Sequence, residues 1–370
     1  GMKRLAGSPA EYEAEAEKIG YPVMIKASAG GGGKGMRVVC SARELRPALE
    51  AGQREARSAF GDESVYLEKF IEDPRHVEFQ VLADNHGYIV HLFERECSIQ
   101  RRHQKIVEET PSQALTPELR RRMGEVAKKV LQVSGYNNAG TVEFLLDKDR
   151  NFYFLEVNAR LQVEHPVTEL TTGVDLVHQQ IRLASGENLS LRQEELRQRG
   201  QAIECRIYAE DPANGFLPSP GKILFLQEPR GPGIRLDGGI YSGWEVPIYY
   251  DPILAKLIVS AETRDLACAR MASALDEYVI LGIKTTIPFL KDVICHPSFQ
   301  EGATTTAFIK NYFEGWREKD RFPDIMTLAL TAAAHRELSL SRPALAAAGE
   351  FREVFSPWQA LGSWKIGGKP

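Results

Sequence analysis

Between Glu156 and Glu164 the chain reads E-V-N-A-R-L-Q-V-E, with a polar group at every second position: Glu156, Asn158, Arg160, Gln162 and Glu164. Alternate side chains of extended backbone share one face. The spacing therefore predicts two carboxylates, two amides and a guanidinium pointing together. Carboxylate and amide oxygens suit a hard divalent cation such as Mg²⁺, and a guanidinium beside them suits a small planar oxyanion. A second acid, Glu143, stands within the apolar run A-G-T-V-E-F-L-L (139–146). A carboxylate in a buried strand is costly unless it is paired or metal-bound. A turn at 147–151 would bring Glu143 opposite Glu156, where they could share a cation with Asn158 or belong to a structural salt bridge.

The elements that must carry these groups follow from periodicity and punctuation. Residues 152–158 (F-Y-F-L-E-V-N) read as a strand, with Phe152, Phe154, Leu155 and Val157 suited to a buried sheet. Ser8-Pro9 opens a charged helix that closes at Gly20, and residues 43–60 form another. Between them, residues 21–27 and 36–40 read as strands joined by the polyglycine loop S-A-G-G-G-G-K-G (28–35). Such a loop lets backbone N–H groups approach phosphates, because no Cβ intervenes. It lacks the G-K-[ST] ending of a Walker A loop.

Farther on, residues 65–71 make a strand, 74–82 and 87–94 a hairpin, and 116–134 a long helix closed by Gly135. Gln100 to Lys105 (Q-R-R-H-Q-K) is dense in cations, which fits a solvated loop or a polyanion cradle. Helices are expected at 174–184, 264–278, near Thr286 and from 322 onward, and strands at 201–209 and 252–260. Arg206 within the strand Q-A-I-E-C-R-I-Y-A is unusual unless its head reaches a paired or functional site.

Composition narrows the function classes. At 370 residues the chain can bury a large core over two or three domains. With a net charge of −4, nothing in the charge balance suggests a nucleic-acid surface. Five scattered cysteines without C-x-x-C spacing fit a reduced compartment rather than a disulfide framework or zinc site. No apolar run reaches membrane-span length, and there is no secretory h-region.

Four motifs, G-G-G-G-K-G, Q-R-R-H-Q-K, E-x-N-x-R-x-Q-V-E-H and E-C-R-I-x-A-E-D-P, occur in one order along the chain. Together they resemble the biotin carboxylase branch of the ATP-grasp family over roughly residues 19–316. The resemblance implies an α+β chain: an ATP-grasp domain at 1–190 with a glycine-rich lid at 21–83, a β-rich biotin carboxylase C-terminal domain at 200–316, and a helical extension at 317–370. It implies ATP-dependent carboxylation of biotin as the first half-reaction of an acyl-CoA carboxylase, with ATP, Mg²⁺ (or Mn²⁺), bicarbonate and biotin on a separate carrier.

Residue by residue, it assigns ATP to Lys26, Gly32, Gly33, Glu68, Lys69, Ile71, His76, Gln100 and His103, the Glu68–Ile71 segment as the adenine hinge. Metal goes to Glu143, Glu156 and Asn158. Bicarbonate goes to Lys105, Arg160, Gln162 and the Val163 backbone, the base role to Glu164, and the biotin ureido group to Arg206. The implied partners are a biotin carboxyl carrier domain and a carboxyltransferase subunit, within a homo-oligomer and without nucleic acid or membrane. The implied compartment is the cytoplasm, or the mitochondrial matrix in a eukaryote.

Family members normally begin with a Rossmann-like domain of about a hundred residues and a segment carrying another ATP-contacting lysine. Residues 2–8 would be at most a remnant of these, so weak ATP binding by this chain alone is expected. Two other readings stay open: the corresponding part of a pyruvate carboxylase, which would need a downstream barrel domain, and a fragment that only binds nucleotide or partner subunits. A carbamoyl-phosphate synthetase would not be expected to carry Arg206 in E-C-R-I.

Overall fold

The computed structural model describes residues 8–29, 36–102, 104–318 and 324–340. Residues up to 318 form one compact unit, and 319–370 fall in a second, of which helix Asp324–Leu340 is described.

Three strands, β1 (Val23–Ala27), β2 (Arg37–Val39) and β3 (Val65–Lys69), make a small antiparallel sheet in the order β2-β1-β3. Helices α1 (Pro9–Ile19) and α2 (Ala42–Phe60) pack on it through Tyr12, Ala16, Leu45, Leu49 and Ala56. The Ser8 backbone N–H donates to Glu11 Oε2, so the first orphan donor of α1 is satisfied by its own third residue. Ile71 lies beyond the end of β3. Gly32, Gly33 and His103 lie outside the described residues.

An eight-stranded antiparallel sheet dominates the rest. It contains β4 (Arg75–Ala83), β5 (Ile89–Arg101), β6 (Gln104–Thr110), β7 (Asn138–Leu146), β8 (Phe152–Asn158) and β9 (Gln201–Tyr208), with strands Ile253–Ala261 and Ile234–Gly238 outside β9. The order from one edge is β8-β7-β4-β5-β6-β9, and β6 pairs directly with β9 across the stretch near residue 200. Of the cation-dense stretch, Gln100 and Arg101 end β5 and pair in register with Lys105 and Gln104 at the start of β6, with Gln100 buried and Arg102 exposed.

Along β4 the alternation separates two faces. Val77, Phe79 and Val81 face helix α3 (Pro117–Ser134), which buries Met123, Ala127 and Leu131 against them. Thr116 caps α3 by accepting from Leu119 N–H, and Gly135 ends it in the left-handed conformation at φ 64°. The intervening residues His76, Glu78 and Gln80 are buried and polar. On β9, Ile203, Cys205 and Ile207 belong to the core under helices Arg264–Glu277 and Ile287–Ile294. Ala202 instead packs with Ile258 and with Val167 of helix α4 (His165–Thr172).

Two local expectations fail. β8 is an edge strand rather than a buried one: Phe154 is 54% exposed, while Phe152, Leu155 and Val157 are only partly covered. An apolar run looks alike at the edge and in the middle of a sheet, because pairing position is not written in it. The extended chain also stops at Asn158, so the five-residue polar alternation does not continue as strand. Gln162 and Glu164 reach the site through the turn that leads into α4.

Candidate active site

Antiparallel register builds the site as a row across four strands. Arg95 on β5 is opposite Glu78 on β4, Glu78 is opposite Glu143 on β7, and Glu143 is opposite Glu156 on β8. Directly opposed like charges repel, and Glu78 and Glu143 are buried as well, while Glu156 on the edge strand is exposed, so the inner part of the row needs cations. Arg95 is one: it is fully buried, with Nε donating to Glu78 Oε1 at 2.6 Å. Its remaining donors reach Gln80 and Thr168 (2.8 and 3.1 Å) and Thr141 and Gln162 (3.2 and 2.9 Å). This fixes Gln162, whose Nε2 in turn donates to Glu143 Oε1 at 3.0 Å.

Lys105 is the second cation and the centre of the site. Its Nζ donates to Glu78 Oε2 (2.5 Å), Glu143 Oε1 (2.8 Å) and Glu164 Oε1 (2.7 Å), using all three ammonium donors. Burial alone would push its pKa down. Glu78 above all, with Cys97, Glu164 and Glu143, holds it well above the ordinary lysine value. Burial would raise Glu143, but His76 and Lys105 keep it far below the usual carboxylate range. Glu164 is likewise held low: burial and Glu78 oppose this, and Lys105, Arg206 and Arg95 outweigh them.

Arg206 supplies the third cation. Its Nε donates to Glu108 Oε1 at 2.6 Å and its Nη2 to Glu164 Oε2 at 3.0 Å. Glu164, just ahead of α4, is thus clamped between Lys105 and Arg206. Its position is backed by Lys256, whose Nζ donates to the neighbouring Val163 carbonyl at 2.7 Å.

Sequence-predicted residues fall into two groups. His76, Gln100, Lys105, Glu143, Glu156, Asn158, Arg160, Gln162, Val163, Glu164 and Arg206 are linked by the register and contacts of this one neighbourhood. His76 Nδ1 meets Gln100 Nε2 at 2.6 Å, and its Nε2 stands 2.9 Å from Glu143 Oε2, a close contact without hydrogen-bond alignment. Asn158 Nδ2 is 3.0 Å from Glu143 Oε1 and 3.5 Å from Glu156 Oε1, and Arg160 Nη2 donates to Asn158 Oδ1 at 3.2 Å. The other group sits on the three-stranded sheet, where Lys26 and Glu68 pair with each other at 2.6 Å. Lys69 donates to the Gly20 and Tyr21 carbonyls (2.8 and 3.2 Å), which holds its side chain back against the start of β1.

Glu143, Glu156 and Asn158 fit a hard cation. Two carboxylates oppose each other across one strand pair, and Asn158, with its amide turned over, would direct a third oxygen to the same point. Sequence reasoning missed Glu78, Arg95, Glu108, Glu204 and Lys256. The alternation H-V-E-F-Q on β4 carried the signal for Glu78. Nothing local pointed to Arg95, which follows Phe93 at φ 62° in a β-bulge.

A carboxylate row held by buried cations on an antiparallel sheet, with Glu143, Glu156 and Asn158 of a chemistry that could take a hard cation, suits a class of site that handles anions and metal. Comparison with known proteins gives the family. Residues 1–192 match the family model described as carbamoyl-phosphate synthase L chain, ATP binding domain, and residues 204–311 match the biotin carboxylase C-terminal domain. The chain is 52% identical to a biotin carboxylase of Nostoc sp. over 84% of its own length and 71% of that protein's. It is 54% identical to a pyruvate carboxylase subunit of Methanothermobacter thermautotrophicus over 85% of this chain, and spans 64% of that relative's length. The biotin carboxylase domain of Hydrogenobacter thermophilus 2-oxoglutarate carboxylase, solved as a dimer with MgADP, ADP and bicarbonate, superposes with a TM-score of 0.81 at 47% identity, covering 86% of this chain and 70% of that one. The chain belongs to the biotin carboxylase family.

No helix among the described residues is long and apolar enough to cross a membrane.

Proposed function

We propose that this chain carries the site for ATP- and bicarbonate-dependent carboxylation of carrier-bound biotin, by way of carboxyphosphate. The observation that carries the reading is Lys105 held between Glu78, Glu143 and Glu164, with Arg206 on the far oxygen of Glu164. Here a buried base, an ammonium on a long side chain and a guanidinium surround one point, and the metal triad stands next to it.

In this reading Lys26, Glu68, Lys69, Ile71, His76 and Gln100 face the nucleotide, together with Gly32, Gly33 and His103. Magnesium, when bound by Glu143, Glu156 and Asn158, would offset negative charge on the phosphate oxygens. Lys105, Arg160, Gln162 and the Val163 backbone orient bicarbonate, which lowers the entropic cost of joining two anions. Glu164 takes the bicarbonate proton as an oxygen attacks the γ-phosphorus and ADP leaves. A carboxylate held low is ionised and ready but weakly basic. When Lys105 turns from Glu164 to bicarbonate, the low pKa is relieved at the moment a base is needed.

Carboxyphosphate then breaks to CO₂ and phosphate, the phosphate removes the biotin N1′ proton, and N1′ attacks CO₂. Arg206 stabilises the enolate oxygen that forms on the ureido group. Lys256 acts behind these groups by holding the Val163 carbonyl.

As partners the same reading supplies a biotin carboxyl carrier domain, a homo-oligomer and a carboxyltransferase subunit. The curated relatives that belong to multi-subunit carboxylases support this. It places the protein in the cytoplasm, or in the mitochondrial matrix in a eukaryote, in keeping with several relatives that are mitochondrial. The test is bicarbonate-dependent ADP release stimulated by biotin. ATP hydrolysis indifferent to both would favour a nucleotide-binding fragment.

A further inference from the structure

Behind Arg206 lies a feature that the reaction as described does not use. Glu108 on β6 and Glu204 on β9 are register partners, so their side chains emerge side by side on one face. Neither is exposed to solvent. Arg206 engages only Glu108 Oε1, while Glu108 Oε2 and both carboxyl oxygens of Glu204 have no hydrogen-bond partner. Two adjacent ionised carboxylates are costly in a dry interior where the one guanidinium contact is to Glu108 and the nearby Lys256 ammonium makes no hydrogen bond to either. Other charges are committed elsewhere: Lys256 to the Val163 carbonyl and Asp237, Lys105 to its three acids, and Glu164 adds a further negative charge.

We propose that Glu204 carries a proton which it donates to Glu108 Oε2, and that this shared proton positions Arg206 toward Glu164. One proton satisfies the orphaned oxygen of Glu108 and halves the negative charge of the pair. Arg206 is then balanced between Glu108 and Glu164 rather than drawn inward by two anions. Burial, followed by the neighbouring Glu108, raises the Glu204 carboxyl well above the ordinary range, and burial lifts Glu108 to about 7 against the pull of Arg206. Glu204 is a positioning residue and touches no substrate. The role given to Arg206 rests on the reading above, whereas the proton on Glu204 does not.

The test is infrared spectroscopy of the full chain with Glu204→Gln and Glu108→Gln variants, titrated through neutral pH. The carbonyl stretch of a buried protonated carboxyl should be present at pH 7 and absent in Glu204→Gln. A spectrum without that band, or with the same band in Glu204→Gln, overturns the proposal. The second arm follows biotin KM. Glu204→Gln keeps an N–H donor for Glu108 and should stay within about 2-fold of the parent, while Glu204→Met should raise KM about 10-fold with bicarbonate-dependent ATP cleavage retained. On raising pH, biotin KM should climb in the parent as the pair loses its proton, and should stay flat in Glu204→Gln. An identical alkaline limb in both removes the positioning role. If the chain shows no biotin-dependent turnover but the band behaves as stated, the functional reading fails and the proton assignment stands.

Discussion

Replacing Lys105 with methionine is the perturbation that most of the site should feel. The methionine keeps the length of the side chain and deletes the ammonium. Three carboxylates lose a donor at once: Glu78 retains Arg95, Glu164 retains Arg206, and Glu143 retains only His76, Gln162 and Asn158. Lys105 has a side chain only 12% exposed, and its partners are 5% exposed or less, so solvent offers little screening. Removing one partner of a buried pair costs about 3–5 kcal/mol, or about two to three and a half powers of ten in the folding equilibrium.

The sign of the pH dependence follows from Glu78, Glu143 and Glu164, all held below the ordinary carboxylate range. Their contribution is present above the unfolded value of about 4.3 and is lost as pH falls through the folded values. The gap between parent and Lys105→Met should therefore be full at pH 7 and close in acid. Urea unfolding followed by tryptophan fluorescence at several pH values measures it. A variant within about 1 kcal/mol of the parent at pH 7, the worth of an exposed pair, would refute a buried, cation-dependent row.

Other expectations follow from the same geometry. Glu156→Gln, at an exposed edge position, should leave thermal stability within about 0.5 kcal/mol of the parent yet remove Mg²⁺-dependent turnover; Glu143→Gln should lose turnover as well, and near-normal rates at limiting Mg²⁺ for both would dismiss the triad. Glu164→Gln should block bicarbonate-dependent ATP cleavage, while Arg206→Ala should spare much of it and lose carboxybiotin, so an equal loss of both in Arg206→Ala would contradict the division of labour. Glu204 gives a pH slope of opposite sign to the carboxylate row. The fold holds a proton that the unfolded chain releases above about 4.3, so the parent should lose stability with rising pH by up to about 1.4 kcal/mol per pH unit. Glu204→Gln should flatten that slope in denaturant titrations.

The sequence made some of this legible for physical reasons. Glu143 and Glu156 could be placed opposite one another because two strands and a tight turn leave little freedom, and the register confirms the pairing. Arg206 drew notice because a guanidinium in a strand must find anions, and it finds Glu108 and Glu164. Gln162 and Glu164 reach the site for a reason other than the expected alternation: the strand ends at Asn158, and a turn into α4 delivers them. The alternation on β4 marked Glu78, but its pairing with Arg95 was hidden because it depends on a long hairpin, a bulge at Phe93 and sheet order, none of which is a local pattern. The exposure of Phe154 escaped notice for the same reason, since only strand order shows that β8 is an edge.

The central claim is that bicarbonate, not water, receives the phosphoryl group of ATP at this site, and oxygen isotopes test it most directly. With bicarbonate labelled by oxygen-18 and unlabelled water, one labelled oxygen should appear in the released phosphate, because the bicarbonate oxygen that attacks phosphorus stays with it when carboxyphosphate breaks. The label should vanish in Glu164→Gln. Unlabelled phosphate, its one new oxygen taken from water, at an unchanged rate of ATP loss, would show simple hydrolysis and contradict the account.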